Sequence, residues 1–209
     1  MPGRVIAIDG PAASGKSSVS RGVSSALRFH FLSSGHLYRT LAWGVVRSGI
    51  AVENFGDWIK GHRMTVRAEG LEFRVFLDDE EATPHLSDPD VAAMVSKLAT
   101  LPSVREIVNG IMRAQSLFSD LVIEGRDIGS VVFPETPWKF YLDASPEERA
   151  RRRAKEGVVD SVAERDLLDS TRATAPLTIP QGATVIDTTH LDLQQVISAV
   201  LSHLKELTP

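Results

Sequence analysis

Apolar positions along the chain follow two periods. Val5-Ile6-Ala7-Ile8 and Leu121-Val122-Ile123 are short unbroken apolar runs rich in β-branched residues, the pattern of strands buried on both faces. Phe29-His30-Phe31-Leu32, Lys139-Phe140-Tyr141-Leu142 and Ala183-Thr184-Val185-Ile186-Asp187 read as further strands. Between them the spacing turns helical. Val19, Val23, Ala26 and Leu27 predict a helix ending near Arg28. Leu37, Leu41, Ala42, Val45 and Val46 predict another, capped by Ser34 or Gly35 and stopped at Gly49. Residues 53–61 suggest a short helix, and 88–99 and 103–117 two more, parted by Leu101-Pro102. Ser145, Pro146 and Glu148 carry the start signals of a helix, with Glu148 completing a capping box. A closing helix over 192–206 is expected to bury Leu193, Val196, Ile197, Val200, Leu201 and Leu204.

One stretch breaks the alternation. Met64 to Ala68 and Leu71 to Leu77 are strand-like, with Glu69-Gly70 as a hairpin turn between them. An antiparallel hairpin inside a β/α alternation reads as an insertion. Residues 131–137 read as a turn. The fold class is therefore α/β, with a parallel sheet of about five strands covered on both faces. Ligands of such a sheet bind at the carboxyl ends of its strands.

The first strand runs directly into Gly10-Pro11-Ala12-Ala13-Ser14-Gly15-Lys16-Ser17-Ser18. This is the phosphate-binding P-loop pattern, in the strand–loop–helix setting it requires. Gly10 and Gly15 let backbone N–H groups turn toward an anion, and the helix adds its positive end. Lys16 brings a mobile charge to the outer phosphates, and the Ser17 hydroxyl is suited to hold Mg²⁺.

Composition narrows the partners. The chain has 209 residues, 43% hydrophobic and 24% charged, with a net charge of −4, so nothing in bulk charge attracts nucleic acid or an anionic membrane. It has no cysteine, which removes disulfides, thiolate metal sites and cysteine nucleophiles. No apolar run is long enough to cross a bilayer, and the first eight residues are too short for a signal peptide. The six histidines show no metal-ligand spacing.

Arginines gather where a phosphate would lie. Arg39 follows Ser34-Gly35, Arg105 follows Pro102, and Arg126-Asp127 follows the strand 121–123 at its carboxyl end. Arg149, Arg151, Arg152 and Arg153 crowd one helix, either as a solvated face or as part of a site. Arg165, Asp169 and Arg172 share one helical face, as a salt-bridge ladder or as ligands. Glu124 is either an acid near Mg²⁺ or a strand-end residue. A planar guanidinium suits phosphate because it donates two parallel hydrogen bonds and stays charged.

Taken in order, these stretches resemble the bacterial cytidylate kinases. The matching segments are Ile8 to Pro11 before the P-loop, Ser33 to Arg39, Pro102 to Arg105, Glu124-Gly125-Arg126-Asp127-Ile128-Gly129-Ser130-Val131-Val132-Phe133-Pro134, Tyr141 to Ala150, Arg172 to Leu177, and Ile186 to Thr189. The resemblance implies a P-loop three-layer fold formed by one domain, with a core of about 1–34, 118–148 and 177–209. A nucleoside-monophosphate (NMP)-binding region would span 35–117 with the hairpin inserted, and a helical lid 149–176. It implies phosphoryl transfer from Mg·ATP to CMP or dCMP, with Gly10 to Ser18 binding the ATP phosphates. Arg39, Arg126 and Arg172 would grip the acceptor phosphate, with Lys16, Arg126 and Arg172 as the catalytic cations. Ser34, Ser96, Arg105 and Asp127 would surround the cytosine, and Arg165 and Asp169 would meet the sugar. A cytoplasmic monomer acting on small nucleotides, without nucleic acid or membrane partners, is expected.

The chain departs from the family pattern in three places. Glu124 stands where Asp is frequent, His85-Leu86-Ser87-Asp88 stands where an arginine is usual, and the stretch from Arg153 to Arg165 is short. Two other readings compete. Another small P-loop kinase would need a pocket other than one matched to cytosine by Arg105 and Asp127. A regulatory NTP switch would carry a guanine-specificity motif such as N-K-x-D, which the sequence lacks, and would leave the arginines unused.

Overall fold

The computed structural model describes residues 2–155 and 177–207. Its frame is one sheet of eight strands: β1 (Val5–Asp9), β2 (His30–Ser33), β3 (Met64–Glu69), β4 (Glu72–Leu77), β5 (Glu80–Glu81), β6 (Leu121–Gly125), β7 (Lys139–Asp143) and β8 (Thr184–Asp187). The order is β3-β4-β2-β6-β1-β7-β8, with β5 pairing on β4. Five strands, β2, β6, β1, β7 and β8, run parallel and form the expected sheet. The β3–β4 hairpin turns at Gly70, where φ is 60°. It extends this sheet through a single parallel pairing, Phe31 with Glu72.

Seven helices are described: α1 (Lys16–Leu27), α2 (Ser34–Ser48), α3 (Phe55–Trp58), α4 (Pro89–Leu98), α5 (Pro102–Gln115), α6 (Pro146–Lys155) and α7 (Leu193–Leu207). Alternation along the central strands divides the core in two. Val5 and Ala7 of β1 and Leu121 and Ile123 of β6 face one cluster, which includes Leu37, Leu41, Val104 and Val108 of α2 and α5. Ile6, Ile8 and Val122 face the other, with Val19 and Val23 of α1 and Val196 and Val200 of α7. Both faces are covered, so the strands read as unbroken apolar runs.

Local signals resolve differently in four places. Helix α2 begins at Ser34 itself, one or two residues earlier than a cap at Ser34 or Gly35 implies. Ser33 is the flanking residue, and its hydroxyl donates to Glu124 instead of capping. At α6 the Ser145 hydroxyl accepts the Glu148 N–H at 3.2 Å, but the Glu148 carboxylate turns to Arg151 and Arg152. The capping box is thus half formed, because two cations outcompete a backbone N–H for that carboxylate. Leu193 is 45% exposed, since the first turn of α7 precedes the residues, from Val196 on, that pack into the core beside α1. Residues 128–132 wind into a single π-type turn, in which the Val132 and Phe133 N–H groups reach back to Asp127 and Ile128. Such turns occur disproportionately at functional sites.

Candidate active site

The P-loop leaves β1 at Gly10, where φ is 151° and an added Cβ would lie 2.1 Å from the Leu142 carbonyl oxygen. Only glycine lets the chain pass β7 this closely. Gly15 has φ 91° and Ala13 φ 56°, so the loop curls through two left-handed residues before α1 starts. Lys16 is buried, its Nζ donating to the Pro11 carbonyl at 2.6 Å and to Ser14 Oγ at 3.4 Å. Ser17 and Ser18 are exposed at the helix start. The loop is braced from behind. Thr188 Oγ1 lies 3.2 Å from the Ser14 carbonyl and 2.9 Å from that of Asp143. Buried Arg149 donates to the carbonyls of Ala144 and Ala12, and Arg152 donates to Thr188.

Opposite this loop, β6 ends at Gly125 and hands the chain to Arg126 and Asp127. Asp127 accepts a hydrogen bond from Arg105 of α5, and both side chains are under a tenth exposed. The π-type turn that follows is held at both ends. The Asp9 carboxylate accepts the N–H groups of Ile128 at 2.8 Å and Gly129 at 2.7 Å. Arg113 donates to the carbonyls of Val131 and Val132, each at 3.1 Å. An anion at the amino end and a cation at the carboxyl end both match the turn's dipole.

Three titratable groups are shifted here. Burial pushes the Asp9 carboxyl up to about 6, and the nearby Asp127 adds to the rise, against its two backbone hydrogen bonds and Lys16. Burial raises Glu124 too, but Lys16, the Ser33 hydroxyl at 2.5 Å, Arg126 and His36 overcome it and hold that carboxyl below its ordinary value. His36 is lowered, mainly by burial, with Arg39 and Arg21 adding to the effect. Buried groups of opposed charge thus surround Glu124 and Asp9, and of these two Glu124 reaches the cavity.

P-loop and arginines open onto one cavity, part of it open to solvent. Ala12, Ala13, Gly15, Lys16, Ser17 and Ser18 form one side; Ser34, Arg39, Ser96, Arg105, Arg126 and Asp127 form the other. Every acceptor-side residue singled out in the sequence and lying among the described residues is thus on one wall. Gly10, Pro11 and Ser14 are not on the cavity surface; they shape the loop from behind. Arg165, Asp169 and Arg172, with the lid beyond Lys155, lie outside the described residues. The cavity also takes in Gly35, Tyr38, Val95, Ala99, Glu124, Gly125 and Arg153. Tyr38, Val95 and Ala99 went unpredicted as site residues. Tyr38 sits beside Arg39 in the Ser33 to Arg39 segment that resembles the family, so a signal existed; Val95 and Ala99 look like ordinary helix residues. Asp9 carried no assigned role in the sequence, although it opens the Asp9-Gly10-Pro11 segment.

A parallel sheet with a glycine loop at the carboxyl end of its central strand, facing a wall of arginines, defines a small P-loop phosphotransferase. The shikimate kinase of Acinetobacter baumannii, solved with shikimate, shares the fold at a TM-score of 0.51 and 15% identity, over 99% of this chain and 95% of that one. Residues 6–206 match the family model for cytidylate kinase, and the chain belongs to that family. The cytidylate kinase of Thermus thermophilus is 42% identical over 96% of this chain and 98% of its own. That of Caldanaerobacter subterraneus subsp. tengcongensis is 38% identical over 97% and 95%.

Proposed function

We propose that this enzyme's reaction, phosphorylation of CMP and dCMP to the diphosphates, runs by in-line transfer from Mg·ATP across the cavity between the P-loop and the Arg126-Asp127 turn. The observation that carries the reading is that one cavity is lined on one side by the P-loop and on the other by Arg39, Arg105, Arg126 and Asp127. The acceptor is already a phosphate monoester, a competent nucleophile, so no strong base is required. The obstacle is repulsion between two anions, and positioned cations lower it.

On the donor side, the backbone of Gly10 to Ser18 and Lys16 would take the ATP phosphates. Mg²⁺ fits a sparse protein donor set. Ser17 is exposed at the start of α1, and among the described residues no group of three His, Cys, Asp or Glu could hold a metal. Mg²⁺ usually keeps its waters and the substrate's phosphates as ligands. When bound it supplies positive charge to the phosphates. Lys16 must leave the Pro11 carbonyl to reach them.

On the acceptor side, Arg39 and Arg126, with Arg172 from the family resemblance, would hold the CMP phosphate. Ser34, Ser96, Arg105 and Asp127 would read the base, and Arg165 and Asp169 the sugar. Arg105 donates only and ionised Asp127 accepts only, matching the acceptor edge and the amino group of cytosine. The NMP-binding region 35–117 and the lid 149–176 would close over the two nucleotides and exclude water. The reading extends to a cytoplasmic enzyme that acts as a single chain on free nucleotides, without nucleic acid. A coupled assay of ADP release, over a panel of nucleoside monophosphates and with ATP or GTP as donor, tests it. Turnover with ATP that depends on CMP or dCMP supports the reading; turnover indifferent to the acceptor's base refutes it.

A further inference from the structure

We infer that Asp9 is a positioning residue for the acceptor side, holding the Arg126-Asp127 segment in register with the P-loop. The inference rests on the assignment of Arg126 and Asp127 to CMP. Strands β1 and β6 run in step up to the pair Asp9 and Gly125, where the ladder ends. Beyond it the chains part: Gly10 enters the donor loop and Arg126 enters the acceptor wall. At that fork the Asp9 side chain takes over from the ladder. It is fully buried, and its two oxygens accept Ile128 N–H at 2.8 Å and Gly129 N–H at 2.7 Å. Asp9 is covalently joined to the first P-loop residue, so the bonds tie one site to the other through a single side chain.

The fit is close from the turn's side as well. A Cβ on Gly129 would lie 3.3 Å from Asp9 Oδ2 and 3.2 Å from both Lys139 Cγ and Pro180 Cγ. Glycine at 129 lets the N–H approach the carboxylate. Arg113 fixes the other end of the turn through two carbonyls but belongs to α5, so it carries no information about where the P-loop sits. A carboxylate is needed because both partners are N–H donors. An amide oxygen can accept at one of them, but its NH₂ would then face the other donor.

The test is steady-state kinetics of Asp9→Asn and Gly129→Ala, varying CMP and ATP separately, with Arg126→Ala as reference. The expected result is a KM for CMP raised about tenfold in each Asp9 or Gly129 variant, the scale of one lost charge-assisted hydrogen bond. The KM for ATP should stay within about twofold. Thermal melting accompanies each variant, and if Asp9→Asn does not fold, Gly129→Ala perturbs the same contact with the carboxylate in place. A KM for ATP that rises as much as that for CMP would make Asp9 a support of the P-loop and overturn the inference. So would an unchanged KM for CMP in variants that fold. If Arg126→Ala itself leaves the KM for CMP unchanged, the acceptor assignment is what fails, and the inference falls with it.

Discussion

Arg105 and Asp127 meet across 22 residues of sequence as a buried ion pair, Arg105 on α5 and Asp127 at the end of β6. Each neutralises a charge that the other's burial would otherwise leave costly. Cytosine would be read by a donor and an acceptor already held in place. Uracil would turn a carbonyl toward Asp127, leaving two acceptors opposed. The wild-type enzyme should therefore prefer CMP to UMP in kcat/KM, and Asp127→Asn should narrow that gap by offering uracil a donor. The check is kcat/KM for both monophosphates in both proteins; equal losses on the two substrates would remove Asp127 from base recognition.

Removing one partner of the pair has a separate, structural consequence. Arg105→Ala removes one member of a buried ion pair, a change that typically costs about 3–5 kcal/mol. Urea unfolding should show a lowered midpoint with an unchanged slope. Asp127→Asn should lower the midpoint as well, because it leaves the buried Arg105 guanidinium facing an uncharged amide.

Lys16 rests on the Pro11 carbonyl at 2.6 Å, inside its own loop. Its removal should lower kcat by about 100-fold or more, the range for cations aimed at developing charge, with little change in melting temperature. Lys16→Ala retaining more than about a tenth of wild-type kcat would count against the P-loop lysine as a transition-state group.

Two P-loop positions should respond in opposite directions. Ala13 sits at φ 56°, where an L-residue bears a cost of roughly 1–2 kcal/mol that glycine avoids. Glycine's extra unfolded-state entropy offsets about 0.4–1 kcal/mol of that gain. Ala13→Gly should therefore raise the melting temperature by about 2 °C. Gly10→Ala would drive a methyl to 2.1 Å from the Leu142 carbonyl oxygen, which belongs to the backbone of a buried strand and cannot move aside cheaply. It should abolish activity and lower the melting temperature sharply. Calorimetry on both variants decides the pair.

The Asp9 carboxyl gives a pH dependence of stability with a definite sign. Its ordinary value is 3.8 and its folded value about 6, so between these the folded state binds the proton more tightly. Its contribution is full below pH 3.8 and is lost as pH rises through 6. Glu148, held at about 2 by Arg151 and Arg152, works in the opposite sense in acid, so the wild-type curve alone mixes the two. Asp9→Asn removes only the first. The melting temperature of the variant minus that of the wild type should rise from pH 4 to pH 7; a flat difference would show that Asp9 does not titrate in this window.

Much of this molecule is local, and so legible along the chain. The unbroken runs at Val5 and Leu121 marked strands covered on both faces, because burial on two sides leaves no polar position. Gly10, Gly15, Lys16 and Ser17 marked the anion loop, because its chemistry depends on fixed offsets within one turn. Gly49 ended α2 as expected, with φ 63°, since that conformation favours glycine whatever the surroundings. Other features depended on which residues meet from distant stretches. The cap expected at Ser34 or Gly35 did not form: α2 starts at Ser34, and the hydroxyl of Ser33 before it goes to Glu124, 91 residues away. Glu148 looked like half of a capping box until the fold of α6 brought two arginines to it. Nothing in the Val131 to Pro137 turn signals announced the π-type turn over 128–132, because its ends are set by Asp9 and Arg113, from β1 and α5. Sequence by itself determined the elements, the loop and the candidate cations; the tertiary structure decided which polar groups pair, because a buried donor or acceptor takes its partner from whatever packs against it and not from its neighbours along the chain.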